Sequence, residues 1–202
     1  MEIHNITSQL PRKGDNPKRK KTKGIIVHWD GVNFDKTGAG LAESIAHFTI
    51  NKKLHNTLQY HIRISHDALV YQCLDLNDRV WHCSNYFKNL ETISICLEGM
   101  DRINDSQLFA LRELIHLIKE RYSIEYVKGH REVALPGWGT SCPGGRVLES
   151  LHSNFNLLEE KMELKQGATL RYDGRKVGLR NYQRLIRANR EGGAVVHTLK
   201  KG

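Results

Sequence analysis

The stretch Val127–Gly144, VKGHREVALPGWGTSCPG, is the feature that most constrains this chain. His130 stands twelve positions before Cys142, and Pro136, Gly137, Gly139, Pro143 and Gly144 punctuate the segment. Both side chains are thus presented from one turn-rich loop. An imidazole and a thiolate offered together are two ligands of the kind zinc accepts. A catalytic zinc usually takes three protein ligands and leaves its fourth position to water, so a third donor is expected from elsewhere. His28 is the best candidate, because GIIVHWD at 24–30 reads as a short buried strand with the histidine at its end.

The remaining segments build an α/β domain around that loop. Residues 1–23 are polar and basic and are broken by Pro11, Gly14 and Pro17, which reads as an irregular N-terminal arm. Leu41–Leu54 places Leu41, Ile45 and Phe48 on one side of a moderate amphipathic helix. Leu58–Ile64 and Ala68–Leu74 read as a strand pair joined by a short turn. Residues 75–91 form a loop carrying Trp81, His82, Tyr86 and Phe87, and aromatics on a loop suit a binding surface. Thr92–Leu97 alternates Ile93, Ile95 and Leu97 as a strand does, and a helix from Asp105 or Ser106 to Tyr122 carries the stripe Leu108, Leu111, Ile115, Ile118. A short strand at Val127–His130 and a helix over Arg146–Leu164 complete a mixed central β-sheet flanked by helices. The expected division is an arm at 1–23, a catalytic domain at 24–162 and a small basic appendage at 163–202. In that appendage ATLRYDGRKVGL reads as two strands around an Asp-Gly turn and NYQRLIRANR as a basic helix.

Charge narrows the partners. The net charge of +9 is concentrated in Lys18–Lys23 and in Arg171–Lys201, and it implies attraction to a polyanion. Nucleic acid and a wall bearing acidic polymers both qualify. No apolar run approaches the roughly 20 residues of a membrane span. The N-terminal segment lacks the apolar core of a secretory signal, so synthesis in the cytoplasm is expected. The cysteines Cys73, Cys83, Cys96 and Cys142 form no CxxC pair; Cys73 and Cys96 alternate with apolar neighbours as small core residues. GxxxxGK[ST], GxGxxG and HExxH are absent, which leaves nucleotide and thermolysin-like chemistry without support.

His28 after its strand, QYHIRI at 59–64, VWHC at 80–83, ISICLEG at 93–99 and GHREVA…SCPG occur in an order that resembles the zinc-dependent N-acetylmuramoyl-L-alanine amidases of type 2. That family includes phage lysozymes and the peptidoglycan recognition proteins. The likeness spans roughly residues 20–160. It implies His28, His130 and Cys142 as ligands of Zn2+ and cleavage of the amide between N-acetylmuramic acid and L-alanine in peptidoglycan. It also implies Tyr60 as a catalytic residue, with Trp81 and His82 lining the substrate groove. On its residue type alone, Tyr60 would more often be read as packing at the edge of a core. A phenol with an ordinary pKa near 10 is a poor base at neutrality, so it is expected to donate to the oxyanion.

The chain departs from some relatives. Where others use a glutamate in the strand matching Thr92–Glu98, this chain has Cys96, and Glu98 reads as structural. Where phage lysozymes carry a lysine two positions before the third ligand, this chain has Thr140, as peptidoglycan recognition amidases do. A threonine can donate a hydrogen bond there but brings no charge. The resemblance implies an endolysin-like role at the cell wall after holin-type release. The basic tail would then be either an element attaching to anionic wall polymers or a small stabilising extension. Nucleic acid is not expected as a partner. Rival readings are a non-catalytic peptidoglycan-binding module, a regulator of a nucleic-acid enzyme, and a Cys-His hydrolase built on Cys142.

Overall fold

Ile25, Ile26 and Val27 follow one another in a run whose Cβ-branched side chains favour extended backbone and suit a strand covered on both faces. In the computed structural model, which describes residues 1–31, 36–53, 55–162, 169–172 and 175–178, this run is strand β2, Gly24–Trp29. The other strands of its sheet are β1 (Ile3–Asn5), β3 (Ile62–Ile64), β4 (Val70–Gln72), β5 (Thr92–Leu97) and β6 (Tyr126–Gly129). They lie in the order β1-β4-β3-β5-β2-β6, parallel except for the β3–β4 hairpin. Helices α1 (Gly38–Lys53), α2 (Tyr86–Asn89), α3 (Asp105–Arg121) and α4 (Gly145–Met162) follow in chain order. The fold is therefore the expected mixed sheet with flanking helices. Among the described residues no helix is long and apolar enough to cross a membrane.

Register decides which side chains share a face. His28 pairs with Cys96, and Cys96 pairs with Arg63 on the next strand. Side chains of in-register parallel neighbours project to the same side and alternate along each strand. One face therefore carries Ile25, Val27, Ile62, Ile64, Ile93, Ile95 and Leu97, all buried. The other carries His28, Arg63, Thr92, Ser94 and Cys96, also buried, with Ile26 among them, and Glu98 continues it just past the end of β5. Each aliphatic side chain contributes about 1.5–3 kcal/mol when fully buried. The polar face must instead satisfy its groups by hydrogen bonding.

Helix α1 caps the polar face at Glu98. Thr37 donates its hydroxyl to the Glu98 carboxylate at 2.6 Å and the Gly38 N–H does so at 3.0 Å. Its buried stripe is Gly38, Leu41, Ala42, Ala46 and Thr49; of the expected Leu41, Ile45 and Phe48, Leu41 is buried and Ile45 packs half-buried against the core, but Phe48 is exposed. Small residues let the helix approach closely, while Phe48 faces outward under the Lys53 ammonium. Leu54 lies outside the described residues. Helix α3 matches expectation. Asn104 accepts from the Gln107 N–H while the Gln107 side chain accepts from the Asn104 N–H, a reciprocal cap. The Gln107 amide then donates to the Glu98 carbonyl at 2.9 Å, tying the helix start to the end of β5.

The N-terminal segment is not the irregular arm expected. β1 pairs with β4 at the sheet edge, and Ile6 and Leu10 are buried in a cluster with Ala42, Ala46, Leu58, Cys73, Leu74 and Val80. Two apolar anchors outweigh the polar composition around them. Arg19 is drawn in as well. Its guanidinium donates to the Leu76 and Thr92 carbonyls and to the Thr22 hydroxyl, and burial lowers its pKa to about 10. The strand pair after α1 is shorter than expected, at Ile62–Ile64 and Val70–Gln72; the turn that Ser65 closes by hydrogen bonds to Ala68 and Leu69 takes the start of the second strand.

The chain divides into two compact units, Met1–Ser153 and Asn154–Gly202, with the boundary inside α4. In the second unit β7 (Thr169–Tyr172) pairs antiparallel with β8 (Arg175–Gly178), the hairpin expected from ATLRYDGRKVGL. The basic helix expected over NYQRLIRANR lies outside the described residues.

Candidate metal centre

Three segments deliver the three expected ligands to one place. β2 carries His28 to its buried end. β6 stops at Gly129, so that His130 opens a single 3-10 turn. The Glu132 carboxylate accepts the Gly129 N–H at 2.6 Å and holds that turn back against the strand. Cys142 is anchored from three sides: its sulfur accepts the Trp29 N–H at 3.4 Å, its carbonyl accepts the Arg131 N–H at 2.9 Å, and its own N–H donates to the Thr140 hydroxyl at 3.2 Å. Gly144 follows with φ +85°, and a Cβ there would lie 2.5 Å from the Trp29 ring. A residue without a side chain is required for the loop to close over β2.

The donor atoms of His28, His130 and Cys142 all lie within 4.8 Å of one another, and among the described residues this is the one His, Cys, Asp or Glu group so arranged. Cys142 Sγ is 3.8 Å from His28 Nδ1, and the rings of His28 and His130 are 4.7 Å apart. Buried nitrogen normally finds a hydrogen-bond partner. His130 Nε2 has none, and it is the one imidazole nitrogen in that condition among the described residues. Burial lowers the pKa of His28, with His130 adding to the effect, and burial lowers that of His130, so both rings are neutral and keep a lone pair. Burial pushes the Cys142 thiol up to about 12, against the Trp29 N–H, which favours the thiolate. A thiol held protonated is a poor nucleophile for a Cys-His hydrolase, whereas a thiophilic cation would displace its proton on binding. The donor set and the orphaned nitrogen fit a zinc ion.

The other expected site residues separate into two groups. Tyr60 reaches the centre: its ring lies 5.2 Å from that of His28, and burial, followed by Cys96 and Cys142, raises its pKa well above 10. It precedes β3 instead of lying within a strand, which frees its ring from the strict alternation of the sheet. Thr140 stands at the Cys142 loop, and because its oxygen accepts from Cys142, its hydroxyl hydrogen remains available to donate. Trp81 is 43% exposed and stacks obliquely on Tyr86, with the Arg79 guanidinium over it.

His82, expected beside Trp81 in the groove, is only 6% exposed. Its Nδ1 lies 3.0 Å from His28 Nε2 and its Nε2 lies 3.0 Å from the Thr92 hydroxyl. The Asn89 side chain clamps the backbone at His82 and Cys83 by three hydrogen bonds and turns adjacent residues to opposite sides. His61 is fully buried against Ser94. It accepts from the Ser94 N–H at 3.0 Å and donates to the Asp78 carbonyl at 2.8 Å, and burial, then Arg19, lowers its pKa to about 3.

Sequence reading did not find the ion cluster beside the ligands. Arg63, fully buried, donates to Asp30 at 2.8 Å and faces Glu98 at 3.4 Å. Asp30 also accepts the Gly99 N–H at 3.1 Å, which ties the loop after His28 to the end of β5. The available signal was the polar half of the alternating strand, Thr92, Ser94, Cys96 and Glu98.

The comparisons with known proteins agree on the fold and the family. The chain superposes on an N-acetylmuramoyl-L-alanine amidase, LysC, from Clostridium intestinale URNW with a TM-score of 0.63 at 18% identity, covering 82% of this chain and 99% of that one. Against Drosophila PGRP-LB the score is 0.61 at 20% identity, covering 75% and 93%. Against peptidoglycan recognition protein-LE in complex with tracheal cytotoxin it is 0.64 at 17% identity, covering 75% and 92%. No curated protein matches the chain. The family model described as N-acetylmuramoyl-L-alanine amidase matches residues 18–145, a span that holds all three candidate ligands, and the chain belongs to that family.

Proposed function

We propose that this protein is a zinc-dependent amidase that cleaves the bond between the lactyl group of N-acetylmuramic acid and L-alanine in peptidoglycan. The observation that carries the reading is the convergence of His28, His130 and Cys142, with His130 Nε2 buried and lacking a hydrogen-bond partner among the described residues. His28, His130 and Cys142 would hold the ion, which supplies Lewis acidity and an activated water near neutral pH. The rest falls to the chain's own side chains. Tyr60, kept protonated by its burial, donates a hydrogen bond to the carbonyl oxygen as negative charge develops there. The Thr140 hydroxyl offers a second, uncharged donor. Trp81, with Tyr86 and Phe87 beside it, offers exposed aromatic surface for the sugar or the peptide stem.

The cell wall is the site of action in this reading, reached as an endolysin reaches it, after holin-type release from the cytoplasm. The positive charge in residues 163–202 would draw the protein to anionic wall polymers. The competing reading is a recognition module that binds peptidoglycan without cutting it. A complete ligand set favours the enzyme.

Purified protein incubated with peptidoglycan is expected to expose new alanine amino groups, to stop doing so with a zinc chelator, and to resume when zinc is restored. Cys142→Ser should lower the rate by about 10³-fold or more, since the metal accounts for several kcal/mol of the barrier and each 1.36 kcal/mol is tenfold. Cleavage indifferent to chelation would remove the metal from the mechanism. Tight binding with no new amine would move the protein to the recognition class.

A further inference from the structure

His82 is buried, contacts a proposed zinc ligand and has no part in the chemistry described above. Its ring bridges His28 Nε2 and the Thr92 hydroxyl, each at 3.0 Å. One hydrogen must lie between the two imidazoles, and either ring could supply it. The choice is consequential. If His82 donates, the neutral His28 ring carries its hydrogen on Nδ1, the atom that faces Cys142 Sγ, and cannot ligate there.

Thr92 decides between the two arrangements. Its hydroxyl oxygen lies 2.6 Å from the Lys88 carbonyl at the end of α2. A carbonyl has no hydrogen to give, so the hydroxyl hydrogen lies on that line and Oγ1 presents lone pairs to His82. His82 Nε2 is therefore the donor to Thr92. Beside a hydroxyl oxygen and another imidazole, with water excluded, the ring is neutral and its Nδ1 is bare. The hydrogen between the rings belongs to His28 Nε2, and His28 Nδ1 keeps its lone pair.

We infer that the Lys88 carbonyl, Thr92 and His82 form a hydrogen-bond relay that sets His28 in the tautomer whose Nδ1 can bind the metal. His82 is thus a positioning residue, where sequence reading made it a groove residue. Ligating histidines are commonly oriented by a hydrogen bond at the other ring nitrogen; here a second imidazole supplies it and a threonine dictates its direction. The relay rests on the zinc reading for its purpose, although its existence can be measured without metal.

Ring nitrogen resonances of 15N-labelled, metal-free protein should show both His28 and His82 protonated at Nε2. Protonation of His28 at Nδ1 would overturn the proposal. Thr92→Val removes the oxygen while keeping the side chain's shape. It should weaken zinc binding, measured by competition with a chromophoric chelator, by about 10- to 100-fold, whereas Thr92→Ser should stay within about threefold. Equal zinc affinity in Thr92→Val and the starting protein would sink the relay. If the starting protein binds no zinc, the proposed function fails, while the ring spectra still decide the relay. They also decide it should Thr92→Val not fold.

Discussion

On one face of the central sheet the buried side chains are Ile25, Val27, Ile62, Ile64, Ile93, Ile95 and Leu97; on the other face of the same strands His28, Arg63, Thr92, Ser94 and Cys96 are buried with a single aliphatic neighbour, Ile26. Both faces are dry, but different physics holds each. The aliphatic face gains from removing hydrocarbon from water, an effect proportional to area and almost indifferent to direction. The polar face gains little net free energy from each hydrogen bond and loses heavily for each one left unmade. Its contacts are therefore specific: Ser94 with His61, Thr92 with His82, Arg63 with Asp30 and Glu98. Such a face transmits position. The contacts from Lys88 through Thr92 to His82 set how the His28 ring is turned.

Removing a cation from the polar face should do the most damage. Arg63→Leu leaves the Asp30 and Glu98 carboxylates buried without their shared guanidinium, at a cost of about 3–5 kcal/mol. Chemical denaturation should show a midpoint far below that of the starting protein. An Arg63→Leu protein of undiminished stability would mean that the cluster contributes nothing.

Tyr60→Phe tests the catalytic end of that side. The hydroxyl is the only group lost, so turnover should fall by about 10²-fold, the typical cost of one oxyanion donor, with zinc affinity unchanged. An unaltered rate would return Tyr60 to a packing role.

Acid should act on the polar face and leave the aliphatic face untouched. In the unfolded chain His61 takes its proton near pH 6.5, whereas the folded protein keeps the ring neutral down to about 3. The unfolded state therefore binds the additional proton, and this contribution to stability is complete above pH 6.5 and declines as the pH falls toward 3. Thermal unfolding at a series of pH values should show the decline, and His61→Asn should make it shallower. Identical slopes would place the acid sensitivity elsewhere, for example at His28 and His82, whose burial also lowers their pKa values.

The smallest effect belongs to the aliphatic face. Ile95→Leu conserves volume and should cost less than about 1.5 kcal/mol with activity retained. A loss as large as that of Arg63→Leu would erase the distinction between the faces.

Elements with strong local periodicity were legible in the sequence. The Leu108–Ile118 stripe gave α3 and its polar cap, and the alternation of Thr92–Leu97 gave β5. The candidate metal ligands were legible for a different reason: their spacing and turn chemistry are chemical signatures, and they matched a family. Weakly patterned segments were read less well. In α1 the inward stripe is built from alanines, which carry little hydrophobic signal, so the larger Phe48 misled the assignment. In residues 1–23 only Ile6 and Leu10 are apolar anchors amid lysines and arginines, and composition outvoted them. His82 was expected in the groove because VWHC resembles the family's Trp-His motif, yet one residue along a clamped loop reverses the side on which a ring emerges.

By itself the sequence determined the α/β class, the position of its main strands and helices, and the chemical identity of the three donors. Those depend on neighbours within a few residues or on residue type. Only the tertiary structure decided that His28 meets His82 across 54 positions and Cys142 across 114, and which nitrogen of each ring faces which partner. Alternation along a strand can say that a residue points to a given face. It cannot say what waits there, because directional contacts depend on register between strands, and register is set by the packing of the whole domain.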